Sequence, residues 1–222
     1  FGLFTRQTRC AYITHQLYVR LPKRLKLFEP LARVVHACIY KRYTEVWVPD
    51  YADKEHNLAG ELCHGGCFDN RAKYIGPLSR FSSCVTTSST IGARGERFVD
   101  GVLFDKNHLS SLAILSGLEP QRTLFEQELM DRAMLTGEQM LLVQGLVDRP
   151  ATRIQRGNIT LVPHLSDEAL LQAMQQATTI IARSGYSTIM DLAVLNLLHK
   201  AELHATPGQT EQEYLAVLHA RR

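Results

Sequence analysis

No uninterrupted apolar run in these 222 residues approaches the roughly 18–20 that cross a bilayer, so no transmembrane helix is expected. The first residues, FGLFTRQTRC, lack the charged start and the small-residue cleavage site of a secretory signal. Cysteine is sparse and odd in number (Cys10, Cys38, Cys63, Cys67 and Cys84), which excludes the dense, even disulfide framework of a small secreted domain and favours a reducing, cytoplasmic setting. Excess charge is lacking too. The 25 Lys and Arg nearly balance the 22 Asp and Glu, leaving a net +3 that is too small and too evenly spread for a dedicated nucleic-acid binder. With 45% apolar and 21% charged residues, disorder, collagen repeats and coiled coil are excluded as well. The chain also lacks a starting Met and opens close to a strand, so residues are expected upstream.

What is there is an alternation of short β-like runs and amphipathic stretches, the pattern of an α/β protein with parallel sheets. Strands are expected at Cys10–Thr14, Glu45–Asp50 and Lys73–Phe81, with a helix at Arg24–Tyr40. Residues 82–104, rich in Ser, Thr, Gly and Arg, read as a linker between an amino-terminal part (1–81) and a carboxyl-terminal part (105–222). Beyond it, strands are expected at Leu109–Leu115, Glu138–Gly145, Asn158–Leu165, Thr178–Ala182 and, weakly, Lys200–Ala205. Helices are expected at Pro120–Met134, at Ser166–Ala177 with Ser166 as N-cap, from Gly185 to about Asn196, and at Gln209–His219. In such folds ligands bind beyond the carboxyl ends of the strands.

The stretch TTIIARSGYSTIMDLAVLNLL, Thr178–Leu198, carries the most chemistry. A buried-type strand runs into Arg183, Ser184 and Gly185, and a helix follows at once. The free N–H groups and dipole of such a helix start attract an anion, and a glycine lets a phosphate approach the backbone. Ser184, Thr188 and Asp191 are spaced to share one helical face, where Asp191 could accept bonds from ribose hydroxyls. An N-cap Ser and a solvated Asp explain the same spacing without any ligand. A second strand-to-helix loop, LSGLEPQRTLFE, offers Gly117 and a cation, Arg122, placed against the helix dipole. In ATPGQTEQEYLAVL, the polar groups of Gln209, Gln212 and Glu213 at a helix start suit sugar hydroxyls, although a solvated helix start has the same composition.

ARSGYSTIMDL (Ala182–Leu192) followed by TPGQTEQEYLA (Thr206–Ala216) resembles the carboxyl-terminal domain of glycosyltransferase family 28, the family of the N-acetylglucosaminyltransferase that makes lipid II. Together with THQL, WVPD, NLAG, YIGPLSRF and SGLEPQRT, the chain is most like a branch of predicted glycosyltransferases within it. The likeness is specific over roughly residues 105–217. It implies a GT-B architecture: two Rossmann-like domains, the amino-terminal one incomplete, with the nucleotide sugar held mainly by the carboxyl-terminal domain.

By the same resemblance Gly117, Arg122, Arg183, Ser184 and Gly185 would bind the diphosphate, and Thr188 and Asp191 the nucleoside, Asp191 standing where the family has Glu. Gln209, Gln212 and Glu213 would meet the donor sugar, Glu213 replacing the second of the family's paired glutamines. His15 and Gln16, in ITHQL, would lie on the acceptor side. The implied activity is inverting transfer from a nucleotide sugar, expected to be a UDP-sugar, to the hydroxyl of a glycan or lipid-linked acceptor. No cofactor is implied, and the sequence has no Asp-x-Asp metal signature. The general base is expected upstream, and the last helix of the fold is expected to be cut short at Arg222. Two alternatives share the fold: an enzyme like UDP-N-acetylglucosamine 2-epimerase, and a non-catalytic nucleotide-sugar-binding subunit of a split transferase.

Two further signals stand outside this scheme. CHGGC (Cys63–Cys67) has zinc-like spacing, but no second cysteine pair completes a site, and no metal is expected. Arg20–Arg42 holds seven Lys or Arg against one Glu, so this basic amphipathic segment can make peripheral contact with anionic lipid at the inner face of a membrane, or form a solvated basic face.

Overall fold

A computed structural model describes residues 9–64, 72–83, 98–99, 102–103 and 109–221. The amino-terminal part holds a parallel three-stranded sheet of β1 (Ala11–Ile13), β2 (Glu45–Val48) and β3 (Ala72–Tyr74) in the order β1-β2-β3. Helix α1 (Glu29–Tyr40) makes the β1-to-β2 crossover. It starts five residues later than the periodicity predicts, because Pro30 has no N–H to bond back into a preceding turn and is accommodated only at a helix start. The basic run before it, Lys23–Phe28, forms a 3-10 turn instead. Pro49 likewise closes β2 early.

Within the expected linker, β4 (Phe98–Val99) and β5 (Val102–Leu103) pair as a short antiparallel ladder. Residues 84–97, with Cys84, fall outside the described residues, as do residues 65–71, with Cys67 of the CHGGC segment.

The carboxyl-terminal part is a six-stranded sheet in the order β11-β10-β6-β7-β9-β8, built from β6 (Ser111–Ile114), β7 (Met140–Val143), β8 (Ile154–Arg156), β9 (Ile159–Val162), β10 (Thr179–Arg183) and β11 (Ala201–His204). All neighbours are parallel except β8 and β9. That hairpin is absent from the sequence-based expectation. Its signal is Gly157-Asn158, a two-residue turn between Arg156 and its partner Ile159, with Gly157 at φ 60° as such turns require. The helices are α2 (Gln121–Thr136), α3 (Asp167–Gln176), α4 (Tyr186–Val194) and α5 (Thr210–His219). Ser166 caps α3 as expected, its hydroxyl accepting the Ala169 N–H at 3.3 Å. Asn196, at φ 56°, turns the chain after α4 in the left-handed conformation that Asn tolerates. No described helix is long and apolar enough to cross a membrane.

Successive residues of a strand face opposite sides, and here both sides are covered, which is why these strands read as continuous apolar runs. Ala113, Leu142 and Ile181 pack with Phe125 and Leu129 of α2 on one face. Leu112, Leu141 and Ile180 pack with Leu170 and Met174 of α3 and Leu192 of α4 on the other. A third core joins the two parts: Val46, Val48, Leu58 and Leu62 from the amino-terminal part enclose Tyr186, Ile189 and Met190 of α4 and Leu215 of α5.

Past β7 the chain turns at Gly145, where φ is 73° and an added Cβ would stand 2.6 Å from the Leu115 carbonyl oxygen. Gly145→Ala combines a left-handed backbone with a clash against main chain that cannot swing aside, so it is expected to cost about 1–3 kcal/mol. Urea unfolding checks this; a midpoint equal to that of the parent would show that the β6 and β7 loops are not held this closely.

Candidate functional site

Strand order reverses between β6 and β10: β7 and β9 lie beyond β6, and β11 lies beyond β10. The loops leaving the two strands therefore diverge and open a crevice at their carboxyl ends, the position where parallel α/β sheets bind ligands. One loop carries Gly117 and the other carries Ser184 and Gly185. Added Cβ atoms at Gly117 and Gly185 would each meet nothing within 4 Å, so both glycines border open space.

Gly185 is the N-cap of α4 and supplies no side-chain cap, leaving the first N–H groups of the helix without side-chain acceptors. Ser184 does not cap them either. The helix starts only at Tyr186, so Ser184 lies outside its register, and the expected polar face reduces to Thr188 and Asp191. Fully buried, the Ser184 hydroxyl donates to the Gln212 carbonyl at 2.8 Å and is engaged within the protein.

Arg183 ends β10 with 7% of its surface exposed. Its guanidinium donates to the carbonyls of Ala205 (2.8 Å) and Gln121 (3.3 Å) and stacks 3.9 Å from the Phe125 ring centroid. Among the described residues no carboxylate pairs with it, and burial lowers its pKa. Glu128 acts on it only through space, so this buried cation, tied to the start of α2 beside the crevice, is not neutralised by a directly bonded acid and favours the approach of an anion. Arg122 differs. It is bound to Glu119 and lies 3.2 Å from Glu126, so a phosphate would have to displace an acid to reach it.

Asp191 has its own partners as well. The Ser79 hydroxyl donates to it at 2.6 Å, and Arg80 Nε lies 3.3 Å from its other oxygen. Arg80 also meets Asp167 at 2.8 Å. Asp191 thus ties the YIGPLSRF segment to α4, while Thr188 is half-buried on the same helix.

The carboxyl end of β1 reaches the same region. His15 stacks on Tyr186, the first residue of α4, with ring centroids 4.0 Å apart and planes 11° from parallel. Tyr186 is fixed in turn: it is buried, and its hydroxyl donates to the Pro49 carbonyl at 2.9 Å. Next to it, Asp50 accepts the N–H groups of Tyr51, Leu58 and Ala59, so WVPD holds the loop that follows β2. His15 Nε2 lies 2.7 Å from Glu211 Oε1, and the Gln16 side-chain amide donates to Glu211 Oε2.

Glu211 belongs to the first turn of α5 and is 196 positions from His15. Sequence reasoning passed over it in favour of its neighbours. Gln212 receives the Thr206 N–H on its side-chain oxygen at 2.8 Å, and Glu213 is exposed. Gln209, the N-cap of α5, lines a pocket of about 290 Å³ together with Gln16, Arg20, Leu62, Thr210 and Glu211. Arg20 is held in its wall by Glu61 and by the Tyr214 ring, 4.2 Å away.

The structure thus brings His15, Gln16, Gln209 and Gly185 to one region, adds Glu211, Tyr186 and Arg20, and engages Ser184, Asp191 and Gln212 in internal bonds. Among the described residues no three His, Cys, Asp or Glu side chains converge as metal ligands. No protein-family model matches the chain, and a search of curated proteins finds no significant match.

Proposed function

We propose that this chain is a nucleotide-sugar-dependent glycosyltransferase of the GT-B type, using a UDP-sugar, in keeping with its resemblance to glycosyltransferase family 28. The observation that carries the reading is the stack of His15 on Tyr186. It sets His15, which follows β1 of the amino-terminal sheet and pairs with Glu211 of α5, beside the uncapped start of α4, one residue past Gly185. An anion site, a proton acceptor and a polar pocket the size of a sugar ring then adjoin one another, as transfer from a sugar diphosphate requires.

In this proposal the diphosphate meets the N–H groups opening α4, with Arg183 supplying positive charge from behind. Glu211 orients His15 by accepting from Nε2–H, which leaves the lone pair on Nδ1. As the acceptor hydroxyl attacks the anomeric carbon, its proton passes to His15, the bond from that carbon to the diphosphate oxygen breaks, and UDP leaves. Gln16, Gln209 and Thr210 face the hydroxyls of the sugar. Ser184 and Asp191 act one layer out, Ser184 by fixing the turn to α5 and Asp191 by holding α4 against Ser79 and Arg80.

The test uses the thermal midpoint in the presence of UDP, UDP-N-acetylglucosamine, UDP-glucose, GDP-mannose and a dTDP-sugar. A ligand at about 100 times its Kd adds about 2.7 kcal/mol of stability. UDP compounds are expected to raise the midpoint of the parent and to leave Gly185→Val unmoved. The φ of −71° at Gly185 suits any residue, and the added side chain enters only the open space the phosphate would occupy, so the variant folds normally while the site is filled. Equal shifts in both proteins would place nucleotide binding elsewhere, and no shift with any compound would remove the transferase reading.

A further inference from the structure

The pocket assigned to the sugar contains a single cation. Of the residues that line it, Gln16, Leu62, Gln209 and Thr210 are uncharged, Glu211 is engaged by His15 and Gln16, and Arg20 alone carries positive charge. Amides and hydroxyls suffice for neutral sugar hydroxyls, each of which both donates and accepts. The arginine is held there by a dedicated arrangement. Its guanidinium lies 4.2 Å from the centroid of the Tyr214 ring on α5. The Tyr214 hydroxyl accepts the Glu61 N–H at 2.9 Å, and Gly60, with φ 56° and no Cβ, leaves the room that this hydroxyl fills. Stacking sets the plane of the guanidinium and uses none of its N–H groups.

Few of those groups are bonded elsewhere. Nη2 donates to Glu61, and among the described residues Nη1 and Nε have no hydrogen-bond partner. Glu61 does not line the pocket, and its side chain is 72% exposed, so it neutralises the cation weakly and from outside. A neutral sugar seated in the pocket would displace water from these N–H groups and offer them only a hydroxyl. A carboxylate accepts from two of them at once, in the planar geometry that arginine matches. Glu211 in the same pocket favours that single charge over a phosphate group, which carries nearly two. We infer that the pocket selects a hexuronate, a sugar carrying a carboxylate, and that Arg20 recognises the acid. The inference rests on the transferase reading and names the sugar class of its UDP-linked donor.

UDP-glucuronate and UDP-glucose differ only in a carboxylate against a hydroxymethyl group at C6, as do UDP-galacturonate and UDP-galactose, so each pair isolates the interaction. Titration calorimetry on the parent is expected to give a Kd about tenfold lower for one uronate than for its neutral counterpart. Arg20→Gln should erase this preference by weakening the uronate alone, since Arg20 is not assigned to the nucleotide. Arg20→Lys, which keeps the charge and loses the planar fork, should restore part of it. Glu61→Gln removes the competing acid and should tighten uronate binding by roughly two- to fivefold, a gain that a merely structural role for Arg20 would not produce. Both side chains are partly or largely exposed, so the variants keep the fold, and unchanged far-UV circular dichroism verifies this. If UDP binds, equal Kd values within both pairs, or a preference that survives Arg20→Gln, overturn the inference and leave the transferase reading standing. Absence of UDP binding removes that reading and the inference with it.

Discussion

Replacing Tyr186 with alanine is expected to lower stability by about 3–5 kcal/mol, the range for emptying a large aromatic site in a packed core. Small domains are stable by only about 5–15 kcal/mol in total, so the loss would be a large part of the whole. The location of Tyr186 makes it costly. Its ring closes the core between Val46, Val48 and Leu62 on one side and Ile189 and Leu215 on the other, and its hydroxyl satisfies the Pro49 carbonyl. Tyr186→Phe keeps the ring and loses one hydrogen bond, for about 1 kcal/mol. Urea unfolding followed by circular dichroism separates the two variants. A Tyr186→Ala protein within about 1 kcal/mol of the parent would mean that the two sheets do not share this core.

Loss of His15 should act on chemistry instead. With the donor identified by thermal shift, release of UDP with water as the acceptor is expected to slow by about 10²–10⁴-fold in His15→Ala, the usual worth of a positioned general base. Glu211→Gln should slow it in the same direction but by less, because the imidazole remains and loses only its orienting charge. Midpoint shifts with UDP should persist in both variants, since neither residue is assigned to the diphosphate. Turnover equal to that of the parent in His15→Ala would exclude His15 as the base.

Much of the carboxyl-terminal fold was legible because its signals are local. Apolar runs such as LAIL and MLLV, the Ser166 cap and the Gly185 junction each sit within a few residues of the feature they specify. The β8–β9 hairpin was equally local, marked by Gly-Asn, and was missed because IQR, exposed on every residue, has no apolar pattern. Pro30 was also available as a helix-start signal.

The site was legible in part. Arg183, Gly185 and Gln209 could be named from their neighbourhoods, and His15 and Gln16 from the family resemblance, but what they face could not. Glu211 is one of three carboxylate or amide side chains in succession, and only the approach of α5 to the end of β1 distinguishes it from Gln212 and Glu213. The internal role of the Ser184 hydroxyl was hidden for the same reason, since its acceptor on Gln212 lies 28 positions away. Spacing placed Asp191 on a face of its helix but carried no information that Ser79 and Arg80 would occupy that face.

The core that α4 and α5 share with β2 also bears on recombination. In proteins whose halves meet across solvent, a donor-binding half can be exchanged between homologues with little regard for its counterpart. Here Tyr186, Ile189, Met190 and Leu215 interlock with Val46, Val48, Leu58 and Leu62, so a chimera joined near residue 104 would inherit two faces shaped by different histories. Grafts that bring these eight side chains as one set should yield soluble hybrids, and grafts that divide them should accumulate as misassembled material.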